Sequence, residues 1–125
     1  MTPAKYNEKV TEHFLRPRNV GTISDADAVG TAIDQGQDRL LKLYLRLDQN
    51  KQHITEAAFQ SFGCPDAVAS ASALTELLPG KTVQEAAELD VTALREILGQ
   101  VPEEEGNTTI KCLRALQDAL ANTRS

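Results

Sequence analysis

The residues in this chain best suited to chemistry are its two cysteines, Cys64 and Cys112. Cys64 stands in Phe62-Gly63-Cys64-Pro65-Asp66, where a strand pattern gives way to a helix pattern. Unpaired N–H groups and the positive end of a helix dipole at such a junction favour a thiolate over a thiol. Gly63 adds a position where the backbone can turn tightly and approach a ligand closely. Cys112 is expected in the first turn of the last helix, beside Lys111, where the same reasoning applies. A thiolate can bind a metal, accept sulfur or form a disulfide. Either cysteine can equally be a small buried hydrophobe, and periodicity alone does not tell whether the fold brings the two together.

Other ligands are few. His13 falls in an expected first helix and His53 in a hairpin turn, so both read as surface histidines. Asp38, just ahead of the main strand, is the better third candidate for a metal, with an exposed loop carboxylate as the plain alternative. Zinc and iron sites take about four protein ligands, mostly thiolate or imidazole, and two cysteines with one aspartate do not complete such a set. The chain has no Gly-rich phosphate loop, no Gly-x-Ser-x-Gly elbow and no His-Glu-x-x-His zinc motif. The acidic run Glu103-Glu104-Glu105 reads as a solvated loop.

The elements that must position these residues follow from hydrophobic spacing. Tyr6, Val10 and Phe14 predict a helix over Thr2 to Leu15, and Ala28 to Ile33 a short strand. Leu41, Leu43, Leu45 and Leu47 alternate with Lys42, Tyr44 and Arg46, which predicts a strand over Leu40 to Leu47 with one core face and one wet face. After a polar turn over 48–53, Ile54 to Phe62 is its antiparallel partner, with imperfect alternation that suggests a bulge. Ala67, Ala71, Leu74, Leu77 and Leu78 line one side of a helix that Asp66 would cap and Pro79-Gly80 would end. Thr82 and Glu85 form an expected capping box, and Asp90 caps a helix bearing Val91, Leu94, Ile97 and Leu98. A polar connection over 99–109 leads to a last helix from about Ile110 to Ala121, striped by Leu113, Leu116 and Leu120. Strands first and helices second give an α+β fold, a small three-stranded antiparallel sheet packed against several helices.

The whole chain is 125 residues, 41% apolar, with no repeat or long linker, and is expected to form one domain over residues 1–125. Its net charge of -5 has the wrong sign for gripping phosphate backbones, so nucleic acid is not an expected partner. No apolar run approaches the roughly 20 residues that cross a bilayer, and residues 1–20 lack the core of a secretion signal. Two cysteines are too few for a zinc ribbon or a secreted disulfide scaffold. No membrane association and a cytoplasmic location are the expectation.

Four blocks of the sequence together resemble the NifU/IscU type of iron-sulfur cluster assembly scaffold, including the related SufU proteins. The first is His13-Phe14-Leu15-Arg16-Pro17-Arg18-Asn19-Val20-Gly21, which is similar to the family's His-aromatic-x-x-Pro-Arg-Asn-x-Gly signature. The others are Phe62-Gly63-Cys64 with Ala69-Ser70-Ala71-Ser72, Pro79-Gly80-Lys81-Thr82 with Glu85-Ala86, and Ile110-Lys111-Cys112. The resemblance implies a scaffold, not an enzyme, on which iron and sulfide from a cysteine desulfurase form a [2Fe-2S] cluster that passes to apo iron-sulfur proteins. Cys64 matches the second of the family's three ligand cysteines and Cys112 the third, so both are the implied holders of metal or cluster. The first is replaced. The block expected to read Cys-Gly-Asp is Gly36-Gln37-Asp38-Arg39 here, with Gln37 at the cysteine and Arg39 at the aspartate. A shift of one residue would let Asp38 keep the carboxylate role. Lys111 stands where IscU proteins have a histidine, and Val101-Pro102 followed by Glu103-Glu104-Glu105-Gly106 replaces the Leu-Pro-Pro-Val-Lys segment read by their Hsp70.

These departures share a direction. Losing a thiolate while adding Arg39 and Lys111 removes a donor for iron or zinc and adds positive charge, which also favours thiolates at Cys64 and Cys112. Two functions follow as expectations: a scaffold that completes its cluster site with donors from a dimer or partner, and a metal-free paralogue that binds a cysteine desulfurase or a three-cysteine scaffold as a regulator or sulfur acceptor. A reversible disulfide between Cys64 and Cys112 is a third.

Overall fold

The computed structural model describes residues 12, 15–33, 39–61, 65–98 and 106–122. Its sheet has the order β1-β2-β3, with β1 at Ala28–Ile33, β2 at Arg39–Leu47 and β3 at Ile54–Ser61, and both pairings are antiparallel. The alternating leucines of β2 explain its central place. Leu41, Leu43, Leu45 and Leu47 all point into the main core, as the period of two requires. The other face is only partly wet, which corrects the sequence expectation. Tyr44 is buried there against Ile23 and Ala26, with its hydroxyl 2.8 Å from Gln60 Oε1. Segment 23–26 supplies this second cover, and nothing in the alternation of β2 marks it.

The poor alternation of β3 has a local cause. Arg46 pairs with Glu56 but Leu47 pairs with Ile54, so Thr55 is the extra residue of a bulge. Its hydroxyl donates to the Arg46 carbonyl at 3.1 Å. The bulge lets Ile54, Ala57 and Phe59 all face inward despite their uneven spacing.

The four described helices are α1 at Pro65–Leu77, α2 at Val83–Ala87, α3 at Val91–Leu98 and α4 at Gly106–Ala121. Pro65 opens α1, a position where its missing N–H costs nothing. Asp66 is therefore its second residue and not its cap, contrary to expectation. The helix is also buried on more than one side, because residues 69–75 are all buried between the sheet and the other helices. Gly80, at φ 93°, turns the chain after α1 and donates its N–H to the Ile54 carbonyl at 2.7 Å. The Thr82/Glu85 capping box forms as expected and holds the Glu85 carboxyl below its usual range, chiefly through the Thr82 amide. Asp90 stands ahead of α3, and Leu94 carries that helix into the core. Of the expected helix over 2–15, only Glu12 and Leu15 lie among the described residues, and both are helical.

Helix α4 packs on β1 through small residues. Ala28, Gly30 and Ala32 of β1 are small and buried, and the backbone of α4 at Ala115 and Ala119 lies against Gly30. A Cβ on Gly30 would stand 2.0 Å from the Ala115 carbonyl oxygen and 2.4 Å from the Ala119 nitrogen. The helix also bonds the outer backbone of β1. Asp118 Oδ2 accepts the Thr31 N–H at 3.0 Å, and Asn122 Nδ2 lies 3.4 Å from the Val29 carbonyl.

The start of β1 is held by Asp27, which accepts the Leu47 N–H at 2.7 Å and pairs with the Lys51 ammonium. The Lys51 bond first, and the Leu47 amide second, hold this carboxyl below its usual 3.8. A lowered carboxyl contributes stability above the unfolded-state value and loses it as pH falls through the folded-state value. The thermal-stability advantage of the parent over Asp27→Asn is thus expected to be constant from about pH 7 to about pH 5 and to close in acid below that window. Gly30→Ala is expected to cost about 1–3 kcal/mol in urea unfolding, because the α4 backbone must move to admit the methyl group. A variant as stable as the parent would show that α4 does not lie this close to β1.

Candidate functional site

The strand pairings fix where the segments flanking the candidate residues meet. Ala32 pairs with Leu41 and Leu41 pairs with Ser61, so β1 ends, β2 begins and β3 ends at one end of the sheet. The connection that carries Gln37 and Asp38 departs there, as does the connection that carries Cys64. Arg39 is the first residue of β2 and pairs with Ile33 at this end. Gln37, Asp38 and Cys64 themselves lie outside the described residues, as do His13 and Glu103-Glu104-Glu105.

Helix α4 brings the second cysteine to the same end. Asn122 meets Val29 and Asp118 meets Thr31, so the helix runs antiparallel to β1. Cys112 is six residues before Asp118, about 9 Å along the helix axis. At about 3.3 Å per strand residue, that is the level at which β1 ends. Lys111 is half-buried beside it.

The environment of Cys112 corrects one expectation. Because α4 starts at Gly106 and not near Ile110, Cys112 is its seventh residue, beyond the first turn where the dipole acts. It is wholly buried in the main core with Ala115, Leu116 and Ala119 of its own helix. The sequence signal for the longer helix is weak, since Gly106-Asn107-Thr108-Thr109 reads as polar turn chemistry.

His53 is far from this end. It closes the β2–β3 hairpin, with its Nδ1 3.1 Å from Asp48 Oδ2 and a bridge to Thr82. The Gln52 and His53 amides both bond Asp48, and the Gln52 bond is the main cause holding that carboxyl below its usual range. Among the described residues no group of three or more His, Cys, Asp or Glu side chains is placed to hold a metal ion. No described helix is long and apolar enough to cross a membrane.

With this geometry in view, the chain matches the model of the NifU-like N terminal domain over residues 5–125. It belongs to that family. An iron-sulfur cluster assembly scaffold protein IscU of Archaeoglobus fulgidus is 38% identical over 117 residues, covering 94% of this chain and 75% of its own. The IscU scaffold of Aquifex aeolicus is 35% identical over 116 residues, covering 93% and 74%. The nitrogen fixation protein NifU of Azotobacter chroococcum is 37% identical over 119 residues, but this chain spans only 38% of its length. A solved iron-sulfur cluster assembly scaffold for the SUF system from Fervidobacterium islandicum has the same fold, with a TM-score of 0.74 at 21% identity and coverage of 92% and 96%. These matches establish the NifU-like α+β fold, with its three-stranded antiparallel sheet, for this chain.

Two features of this NifU-like domain were not evident from its sequence. The small residues Ala115 and Ala119 that meet β1 are hidden in the sequence by the leucines of α4, which dominate its periodicity. The role of Arg18 and Asn19, which bond α1, was visible only as part of a motif. Burial of Cys112 gives a direct test. In the native protein its alkylation is expected to be slow and to rise steeply with urea across the unfolding transition, as read by mass spectrometry of the peptide that carries it. Rapid alkylation without urea would show that the outer part of α4 opens freely.

Proposed function

We propose that this chain works in iron-sulfur cluster assembly as a NifU/IscU-type scaffold, with iron and sulfide as its cargo and Cys64 and Cys112 as its retained holders. The observation that carries the reading is the topology of one end of the sheet. The start of β2, the helix bearing Cys112 and both ends of the connection bearing Cys64 meet there, next to the connection bearing Gln37 and Asp38. The relatives named as IscU scaffolds align along nearly all of this chain and support the same reading. A [2Fe-2S] cluster needs four donors, so this chain supplies two thiolates, with Asp38 as a third donor, and takes the rest from a second copy or a partner. Its partners on this reading are a cysteine desulfurase that supplies sulfide and apo iron-sulfur proteins that receive the cluster. The chain carries and hands over cargo, without turnover of a substrate, in the cytoplasm.

A second reading is favoured by Gln37, Arg39 and Lys111, which stand where family members place a cysteine, an aspartate and, in IscU, a histidine. An amide and two cations in place of these donors oppose retention of a cation. The chain would then be metal-free and act on a desulfurase or on a three-cysteine paralogue, as a regulator or as a sulfur acceptor at Cys64.

Anaerobic reconstitution with ferrous iron and sulfide, followed by visible absorption and iron analysis, separates the two. The scaffold reading expects bound iron and charge-transfer absorption that the folded Cys64→Ser/Cys112→Ser variant lacks, and a stronger signal from Gln37→Cys/Arg39→Asp. No iron above the double-serine control would overturn cluster holding. Desulfurase binding by such a cluster-free protein would support the second reading.

A further inference from the structure

Two side chains of α4, Asp118 and Asn122, are exposed and yet bond the outer backbone of β1. Asp118 Oδ2 accepts the Thr31 N–H at 3.0 Å, and Asn122 Nδ2 lies 3.4 Å from the Val29 carbonyl oxygen. The same amide is 3.3 Å from Asp118 Oδ1, so the two side chains hold each other in place. One bond is accepted and one is donated, on either side of Gly30, as a further strand would bond there. The proposed function gives this pair no task.

The composition of β1 shows why its edge needs cover. Ala28-Val29-Gly30-Thr31-Ala32-Ile33 has no charged residue and no proline, and Val29, Thr31 and Ile33 are β-branched. Edge strands are commonly kept from pairing with other chains by lysine, proline or a bulge. β1 has only the last of these, and only at its final step from Ala32 to Ile33. An uncharged edge of this composition pairs readily with a copy of itself, since no like charges meet across the seam. The opposite edge of the sheet is closed by a backbone strap. There the Asn19 carbonyl accepts the Phe59 N–H at 2.9 Å, the Gly21 N–H donates to the Phe59 carbonyl at 2.8 Å, and Val20 bridges Phe59 in parallel. On β1 the cover at Val29 and Thr31 comes from two side chains.

We propose that Asp118 and Asn122 form a guard that keeps β1 from pairing with β1 of a second copy of this chain. Without the guard, the two strands pair antiparallel about a two-fold axis and join two sheets into one. Both side chains are exposed, so they can leave the edge without opening the core. Antiparallel pairing points the two copies of β1 in opposite directions. For a strand of six residues, the sheet end at which β1 stops then stands about 20 Å from its counterpart. On the scaffold reading, where donors from two copies must meet, such a dimer is unproductive. That consequence rests on the scaffold reading, and the guard itself does not.

The test is sedimentation velocity of the full chain over a wide range of concentration, with amide hydrogen exchange on the same samples. The parent is expected to keep one mass throughout, and Asp118→Ala/Asn122→Ala to double that mass as concentration rises. At low concentration the Thr31 amide of the double variant is expected to exchange roughly fivefold faster than in the parent, the factor that one ordinary hydrogen bond corresponds to. At high concentration its Val29 and Thr31 amides are both expected to be better protected than in the parent. Asp118→Asn, which keeps an acceptor for the Thr31 amide, is expected to behave as the parent does. Adding Thr31→Pro to the double variant removes the outward donor, a loss that an edge strand tolerates, and is expected to restore the parent mass. The proposal is overturned by a double variant that never exceeds the parent mass, or by one that gains mass without protecting Val29 and Thr31. A parent that protects these amides as concentration rises, or association that persists in the folded proline variant, overturns it equally. The exchange readout needs no proline variant, and neither readout needs a bound cluster, so failure of the scaffold reading leaves the result intact.

Discussion

Contact between the backbone of α4 and the bare face of β1 at Gly30 is the constraint on which the rest of the arrangement depends. The space a side chain would need at Gly30 is filled by the Ala115 carbonyl and the Ala119 backbone. Close packing of this kind leaves little freedom to slide, because every neighbouring position is also small and the helix cannot ride up on a larger side chain. The bonds from Asp118 and Asn122 then fix which turn of α4 meets which residue of β1. Through that register, a residue in the first half of the helix acquires a defined height at the end of the sheet. Cys112 owes its location to contacts made by residues one and two turns further along.

A similar logic governs α1. It is surrounded by the sheet, α3 and α4, which is why its sequence alternates alanine with serine in Ala69-Ser70-Ala71-Ser72-Ala73 and carries large side chains mainly beyond it. Small residues let the neighbours approach from several directions, and the hydroxyls supply buried polar anchors. Ser72 and Thr75 receive the Arg18 amide and the Asn19 side chain. The two helices next to the candidate site are thus both placed by close backbone approach supplemented with a few directed hydrogen bonds.

Much of this was legible in the residues. The leucine alternation of β2, the Thr82/Glu85 capping box and the Pro79-Gly80 stop all encode their structures locally, within one turn or one strand. The resemblance carried by the four sequence blocks, and confirmed across residues 5–125, supplied the fold that local signals could only outline. What sequence did not reveal depended on distant partners. Burial of Tyr44 on the supposedly wet face needs segment 23–26, and burial of α1 on more than one side needs α4. The start of α4 is not legible because Gly106-Asn107-Thr108-Thr109 has the composition of a turn and is helical in its tertiary setting. For the same reason Cys112 lies deeper in the helix and in the core than the first turn its sequence suggests. The meeting of the ends of β1, β2 and β3 at one end of the sheet rests on strand register, which no single segment contains.

The strap over β3 has one further consequence. Phe59 already exchanges backbone bonds with Asn19 and Gly21, and on the opposite flank the Thr31 amide is taken by Asp118. A sheet of only three strands would otherwise offer two templates for strand addition, the usual route by which small sheets associate with themselves or capture extended peptides. Here both outer strands are blocked at their middles by the chain's own residues. Backbone pairing with a further strand is closed at both positions, so an association through this sheet has to use side chains rather than unzip the backbone.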